Sequence, residues 1–426
     1  MRSTVTPRAY RAHVLHTPTP EAFEVVEHGY VVVEEGRVRS LGPELPEDRR
    51  DVEVHDLGDR LLIPAFVDLH VHAPQLPMAG VGLGEELLPW LEHHTFPLEA
   101  RYADPAFARL AYQRFLTAMW EVGTLRFSAF ATVHTEATLA LMALCRESGL
   151  RALIGKVAMD RHAPEPLLES AEESLRGTIE IIERSCELGP EVRPIITPRF
   201  VPSVSSTLMR RLGELAEEHD LPVQSHLSEN LEEIAWARRL HPEAGSYAEV
   251  YAEHGLLRPG RTIMAHCVHL TTAEQDLLHE RDVTLAHCAQ SNADLTSGIM
   301  PVRRHLERGL RCVIASDVAG GHSLAMNRHV VASVETSKTW RTLHPEDPPL
   351  TLAEAFHMAT RAPGAFLGDV GSFEPGHEFD ALVVDMPAGP LGHSPLERLE
   401  QFVHTGDDRA ITHRFVAGAE VPRPFS

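Results

Sequence analysis

Between residues 61 and 341 the chain alternates short apolar runs with longer amphipathic stretches. Leu61–Phe66, Thr124–Phe130, Ala152–Ala158, Val192–Pro198, Val223–His226, Thr262–Cys267, Val283–His287 and Arg311–Ser316 each read as a buried strand. The stretches between them, such as Pro105–Val122, Glu165–Leu188, Ser206–His219 and Thr271–Arg281, carry helical patterns. Eight such units over roughly 280 residues predict an α/β fold, a closed (β/α)8 TIM-like barrel. An open doubly wound sheet would normally announce a Gly-rich phosphate turn after its first strand, and none follows here. The ends differ. Tyr30–Val38 is a strand–turn–strand signal with Gly36 at the turn, and Ala381–Asp385 is another β-like stretch after the turn-rich Gly371–His377. Residues 1–62 and 373–426 are therefore expected to join in one small β-sandwich domain, with the barrel spanning 63–372.

Composition narrows the function classes. At 43% hydrophobic and 23% charged the chain is an ordinary globular protein, long enough for a large core. Its net charge of −22, from 39 basic and 61 acidic residues, disfavours nucleic acid or anionic membrane as partners and suits a small neutral substrate. The five cysteines are scattered and contain no Cys-x-x-Cys pair, so a disulfide scaffold is not expected. Without a long apolar run or an amino-terminal signal pattern, a cytoplasmic enzyme is the expectation.

The chemistry collects at the predicted strand ends. His70-Val71-His72 places two imidazoles on one side of an extended strand. With 27 histidines in the chain, roughly two such pairs would arise by chance, so the pair alone decides little. Three further strand-like runs also end in metal or acid–base residues: Gln224–Glu229, Met264–Cys267 and Ile314–Asp317. In a barrel these ends lie on one face. Imidazole and carboxylate suit zinc or ferrous iron better than calcium. His70, His72, His226 and Asp317 would hold one ion and leave a position open for water. Glu229, three residues after His226, is placed to take a proton from that water and deliver it to substrate. His266 is cast as a hydrogen-bonding or electrophilic group. Two-metal barrels commonly bridge their ions with a carboxylated lysine ending strand four. Here that strand ends Thr197-Pro198-Arg199-Phe200, and the only lysines, Lys156 and Lys338, lie elsewhere, so a single ion is expected.

At this point the chain resembles the amidohydrolase superfamily and, within it, the guanine deaminase family. The likeness rests on Pro64–Gln75, on Leu88-Pro89-Trp90-Leu91 with Thr95-Phe96-Pro97, and on Gly155–Arg161. It extends to Ile196–Phe200, Ser225–Asn230 and Asp317–Gly321. The strand-end ligands set the class, whereas Gln75, Trp90, Arg199 and Phe200 match the purine-contacting parts of that family. The resemblance implies hydrolysis of guanine to xanthine and ammonia at one zinc ion, in a homodimer. It implies that His70, His72, His226 and Asp317 hold the metal, that Glu229 shuttles the proton and that His266 polarises the reacting centre. Asp317 would also orient the attacking water. A planar, polar-edged base wants an aromatic face, which Phe200 offers, and a fork of donors to its carbonyl, which Arg199 offers.

Two departures stand out. The family usually reads His-Cys-Pro-x-Ser-Asn after strand seven, and this chain has His287-Cys288-Ala289-Gln290-Ser291-Asn292, which frees the backbone at Ala289. Arg126 stands in strand two where small hydroxyl residues are usual. A sister enzyme acting on another aminated or halogenated ring, an oxidised purine or a triazine, is the alternative expectation. A non-catalytic scaffold should have lost a ligand or the proton shuttle, and none is lost. Cytidine-deaminase chemistry needs a Pro-Cys-x-x-Cys that His134-Thr135-Glu136 lacks downstream.

Overall fold

The computed structural model describes residues 7–425; residues 1–6 and 426, the outer edges of the expected terminal domain, lie outside the described residues. The amino-terminal strands are β1 (Arg8–His16), β2 (Glu24–Glu34), β3 (Arg37–Gly42) and β4 (Glu53–Pro64). Next come β5 (Phe66–His72), β6 (Thr124–Phe130), β7 (Arg151–Gly155), β8 (Val157–Ala158), β9 (Val192–Pro194) and β10 (Thr197–Pro198). β11 (Val223–Leu227), β12 (Thr262–His266), β13 (Thr284–His287) and β14 (Arg311–Ile314) follow. β15 (Ala381–Val384), β16 (Ile411–Val416) and β17 (Ala419–Glu420) close the chain.

The chain is α/β. Strands β5, β6, β7 and β9 pair in parallel, as do β11 to β14 in sequence and the short pair β8 and β10. Between the two sets, Ile196 bridges Val223 in parallel and Gln224 N–H donates to Ile196 O at 2.9 Å. On the other side the Asp317 and His72 N–H groups donate to His70 O (2.9 Å) and Val318 O (3.1 Å). Helices separate consecutive strands, among them Pro105–Glu121, Thr135–Ser148, Ala171–Ser185 and Ser206–Glu218. The parallel strands are buried on both faces, which explains their unbroken apolar runs. Both termini meet in one seven-stranded sheet of order β17-β16-β15-β4-β1-β2-β3. Tyr10, Phe373, Phe379 and Phe415 centre its own apolar cluster.

The first predicted strand needs correcting. Leu61–Pro64 finish β4 in the terminal sheet, paired with β15, and the first parallel strand starts at Phe66. The run is apolar throughout because it lies between two cores: Leu62 faces the terminal cluster, while Leu61 and Ile63 face the main one. His70 and His72 thus sit inside β5, not just past a strand. The predicted helix Glu165–Leu188 is also shorter, because Ser170 and Glu173 form a capping box that starts it at Ala171.

Arg126 is explained by the junction between the two sheets. From β6 its guanidinium donates to Asp380 and, at 2.6 Å, to Glu378 Oε2. Arg126 and Asp380 are both buried, so neither charge has water to fall back on. Arg126→Ala leaves the Asp380 carboxylate unpaired and should cost about 3–5 kcal/mol in chemical denaturation. A loss below about 1 kcal/mol, the range of an exposed pair, would contradict this role.

Candidate active site and metal centre

The carboxyl ends of β5, β11 and β12, with the turn after β14, converge on one buried point. His70 and His72 come from β5, and His226 comes from β11. Asp317 follows β14 by three residues, in the left-handed region at φ 48°. The chain can double back there because Gly321 packs where a Cβ would meet Ser316 O at 2.2 Å, and its N–H donates to Asp317 O. Ser228 (φ 49°) and His266 (φ 70°) also adopt left-handed backbone at their strand ends, the kind of strain that gathers at functional sites.

Four inward atoms face one another. His70 Nε2 and His72 Nε2 lie 3.0 and 3.3 Å from Asp317 Oδ1, and His72 Nε2 is 3.2 Å from His226 Nε2. His226 Nδ1–H donates to Arg199 O at 2.6 Å, which leaves a lone pair on its inward Nε2. Neither ring nitrogen of His70 has a hydrogen-bond partner. Burial lowers the pKa of all three imidazoles, that of His72 to about 4, so each is neutral at pH 7. Burial alone would raise the Asp317 carboxyl, but the facing His70 and His72 rings hold it well below the usual carboxylate range. Neutral imidazoles around a carboxylate are the protonation states a cation requires. Tetrahedral ligands at zinc-like bond lengths stand about 3.3 Å apart, close to the separations here. The donor set fits one divalent ion.

Beside this cluster, Glu229 is buried, and its Oε2 lies 3.3 Å from His266 Nε2. Burial and the Asp317 charge push its carboxyl up to about 8. His266 Nδ1–H donates to Asn292 Oδ1 at 2.9 Å, and Ser297 Oγ–H donates to Glu229 Oε1 at 3.1 Å. Sequence reasoning singled out neither Asn292 nor Ser297; both lie in or just after the short helix Ala289–Asp294 that follows β13. Ala289 takes the first position of that helix, where proline is tolerated, so its departure from the family pattern leaves the turn helical.

A cavity opens over the cluster. Its wall contains His72, His226, Asp317, Glu229, His266, Gln75, Trp90, Arg199 and Phe200, which is every predicted site residue except His70. Trp90 Nε1–H donates to Val81 O at 3.1 Å, which tethers the segment over the pocket, and Phe200 meets Trp236 edge-on. Gln75 and Arg199 do not stand free. Both are bound to Glu99, a residue that sequence reasoning missed because it looks like an ordinary helix carboxylate. Lys156 is occupied by Glu169 at 2.7 Å and takes no part in the cluster.

The amidohydrolase family model matches residues 61–421. Guanine deaminase of Dictyostelium discoideum is 38% identical over 378 residues, covering 86% of this chain and 84% of its own. The Homo sapiens guanine deaminase is 35% identical, with 89% and 86% covered. A crystal structure of guanine deaminase from C. acetobutylicum, with guanine bound in its active site, superposes with a TM-score of 0.96 at 40% identity. It covers 98% of this chain and all of that one.

The cluster generates one direct expectation. Purified protein should bind one equivalent of zinc or ferrous ion, and His226→Ala should abolish stoichiometric binding while the circular dichroism spectrum is kept. Full retention of metal by that variant, measured by elemental analysis, would remove His226 from the ligand set.

Proposed function

The chain belongs to the amidohydrolase family, among its guanine deaminases, and on that footing we propose that it hydrolyses guanine to xanthine and ammonia. The observation that carries this reading is that one cavity gathers these groups. It is lined by His72, His226 and Asp317 of the four-residue cluster, with His70 behind them, and by Glu229, Gln75, Arg199 and Phe200.

When bound by those four residues, a divalent ion, which we take to be one zinc, acidifies a water enough to supply a nucleophile near neutral pH. Glu229 would take a proton from the attacking water as its oxygen adds to the ring carbon that bears the amine, and would deliver that proton to the amine nitrogen, so that the carbon–nitrogen bond breaks and ammonia leaves. Burial raises that carboxyl to about 8, which brings its proton affinity closer to what a shuttle needs than that of an exposed carboxylate. His266, oriented by Asn292, faces Glu229 and Asp317 and stabilises charge at the reacting carbon. Asp317 keeps its second oxygen, 3.7 Å from His266, for orienting the water. Arg199 and Gln75 donate to the polar edge of the base, Phe200 offers a face, and Trp90 closes the pocket against solvent.

With it we propose the architecture expected from sequence, an eightfold (β/α) barrel and a small β-sandwich built from both termini, the first boundary moved from 62/63 to the end of β4 at Pro64. Tyr10 on β1 and Phe415 on β16 supply support. These strands are three positions apart in the sheet, about 14 Å if it were flat. Their rings stand 5.0 Å apart, as a sheet curled onto itself requires. Zinc, a homodimer and a cytoplasmic setting are carried by the family resemblance and composition; among the described residues no helix is long and apolar enough to cross a membrane.

Glu229→Gln should keep its metal and lose about 10²–10⁴-fold in turnover of guanine, read as ammonia release, because an amide carries no proton. Near-normal release would take the shuttle away from Glu229. Arg199→Ala should weaken guanine by roughly 10–100-fold against smaller aminated rings, since it leaves the ring carbonyl unpaired in a dry pocket. An equal loss across the panel would contradict the specificity assigned to it.

A further inference from the structure

Glu99 is among the most buried acids of the chain, yet it touches neither the metal cluster nor the cavity surface. It sits in the helical turn Phe96–Ala100, far in sequence from the groups it binds. Arg199 donates from Nη1 to Glu99 Oε2 at 2.6 Å and from Nη2 to Glu99 Oε1 at 3.2 Å. Gln75 Nε2–H donates to the same Oε1 at 2.9 Å, while Gln75 Oε1 accepts from Ala319 N–H at 3.1 Å. The Phe96 ring lies 5.1 Å below the guanidinium carbon. One carboxylate therefore fixes two wall residues that lie more than a hundred positions apart in the chain, and Gln75 is tied in turn to the chain just past Asp317.

We infer that Glu99 is a positioning residue for substrate recognition: it orients the Arg199 and Gln75 donors toward the carbonyl edge of the purine and cancels the Arg199 charge. The chemistry asks for such a group. A bidentate carboxylate uses two of the five guanidinium N–H bonds and leaves the others in a set direction. Gln75 likewise keeps one amide N–H beyond the one given to Glu99. The substrate class is neutral, so a buried cation with no counter-charge would select an anionic ligand instead. Pairing with Glu99 lets Arg199 act as an oriented donor without offering a net charge.

This inference rests on the proposed role of Arg199, and the test separates the two. Guanine kinetics and metal content are measured for Glu99→Gln, Arg199→Met and the double variant. Glu99→Gln should lower kcat/KM by about 100-fold, with the greater part in KM and metal content unchanged, as expected when a binding group swings by an ångström. The double variant should be no worse than the larger single loss, because both changes remove one unit. If Glu99→Gln yields no folded protein, Glu99→Asp keeps the charge but withdraws it by one methylene. It should then raise KM for guanine at least fivefold. Losses that multiply in the double variant, or an unchanged guanine KM in Glu99→Gln or Glu99→Asp, overturn the inference while Arg199 keeps its role. Unchanged kinetics in Arg199→Met instead overturn the recognition role of Arg199, and the inference with it.

Discussion

Three imidazoles and one carboxylate meet in a buried site, and neither ring nitrogen of His70 has a hydrogen-bond partner there. Desolvation keeps the rings neutral, and the rings in turn keep Asp317 ionised. Left as they are, these groups would be a cost, since buried polar atoms without partners destabilise a fold by about 1–3 kcal/mol each. A cation turns the same arrangement into a stabilising centre. The alternation of strands and helices, the left-handed turns at Ser228, His266 and Asp317, and the Arg199 carbonyl behind His226 all serve to hold that geometry.

Around the cluster lies a second layer that does no chemistry itself. Asn292 sets the His266 ring, Ser297 holds one oxygen of Glu229, and Glu233 accepts from the Glu229 backbone N–H while capping the next helix. Glu99 does the same for Gln75 and Arg199. Each of these partners is buried, so each fixes a rotamer that exposure would leave loose. The layering divides the pocket into a reactive floor and a reading wall joined through Gln75 and Ala319.

Much of this was legible from the chain because strand ends carry chemistry in parallel α/β folds. His226, Glu229, His266 and Asp317 each follow an apolar run whose boundaries agree with the observed strands to within two residues. The start of the first strand was not legible, since Leu61–Ile63 is equally apolar whether it belongs to one core or two. Glu99 was hidden for a different reason. No motif marks it, and only the long-range approach of Gln75 and Arg199 gives it an interior role. Arg126 was unaccounted for because its partners, Glu378 and Asp380, lie some 250 positions away. Contacts of that separation leave no local trace in a single sequence.

Stepwise reconstitution reveals whether one cation per chain is catalytic. Metal-free protein is titrated with zinc while ammonia release from guanine is followed. Activity should be absent without metal, rise linearly and level at one equivalent. Activity without metal, or a plateau that needs two equivalents, would contradict a single catalytic cation per chain.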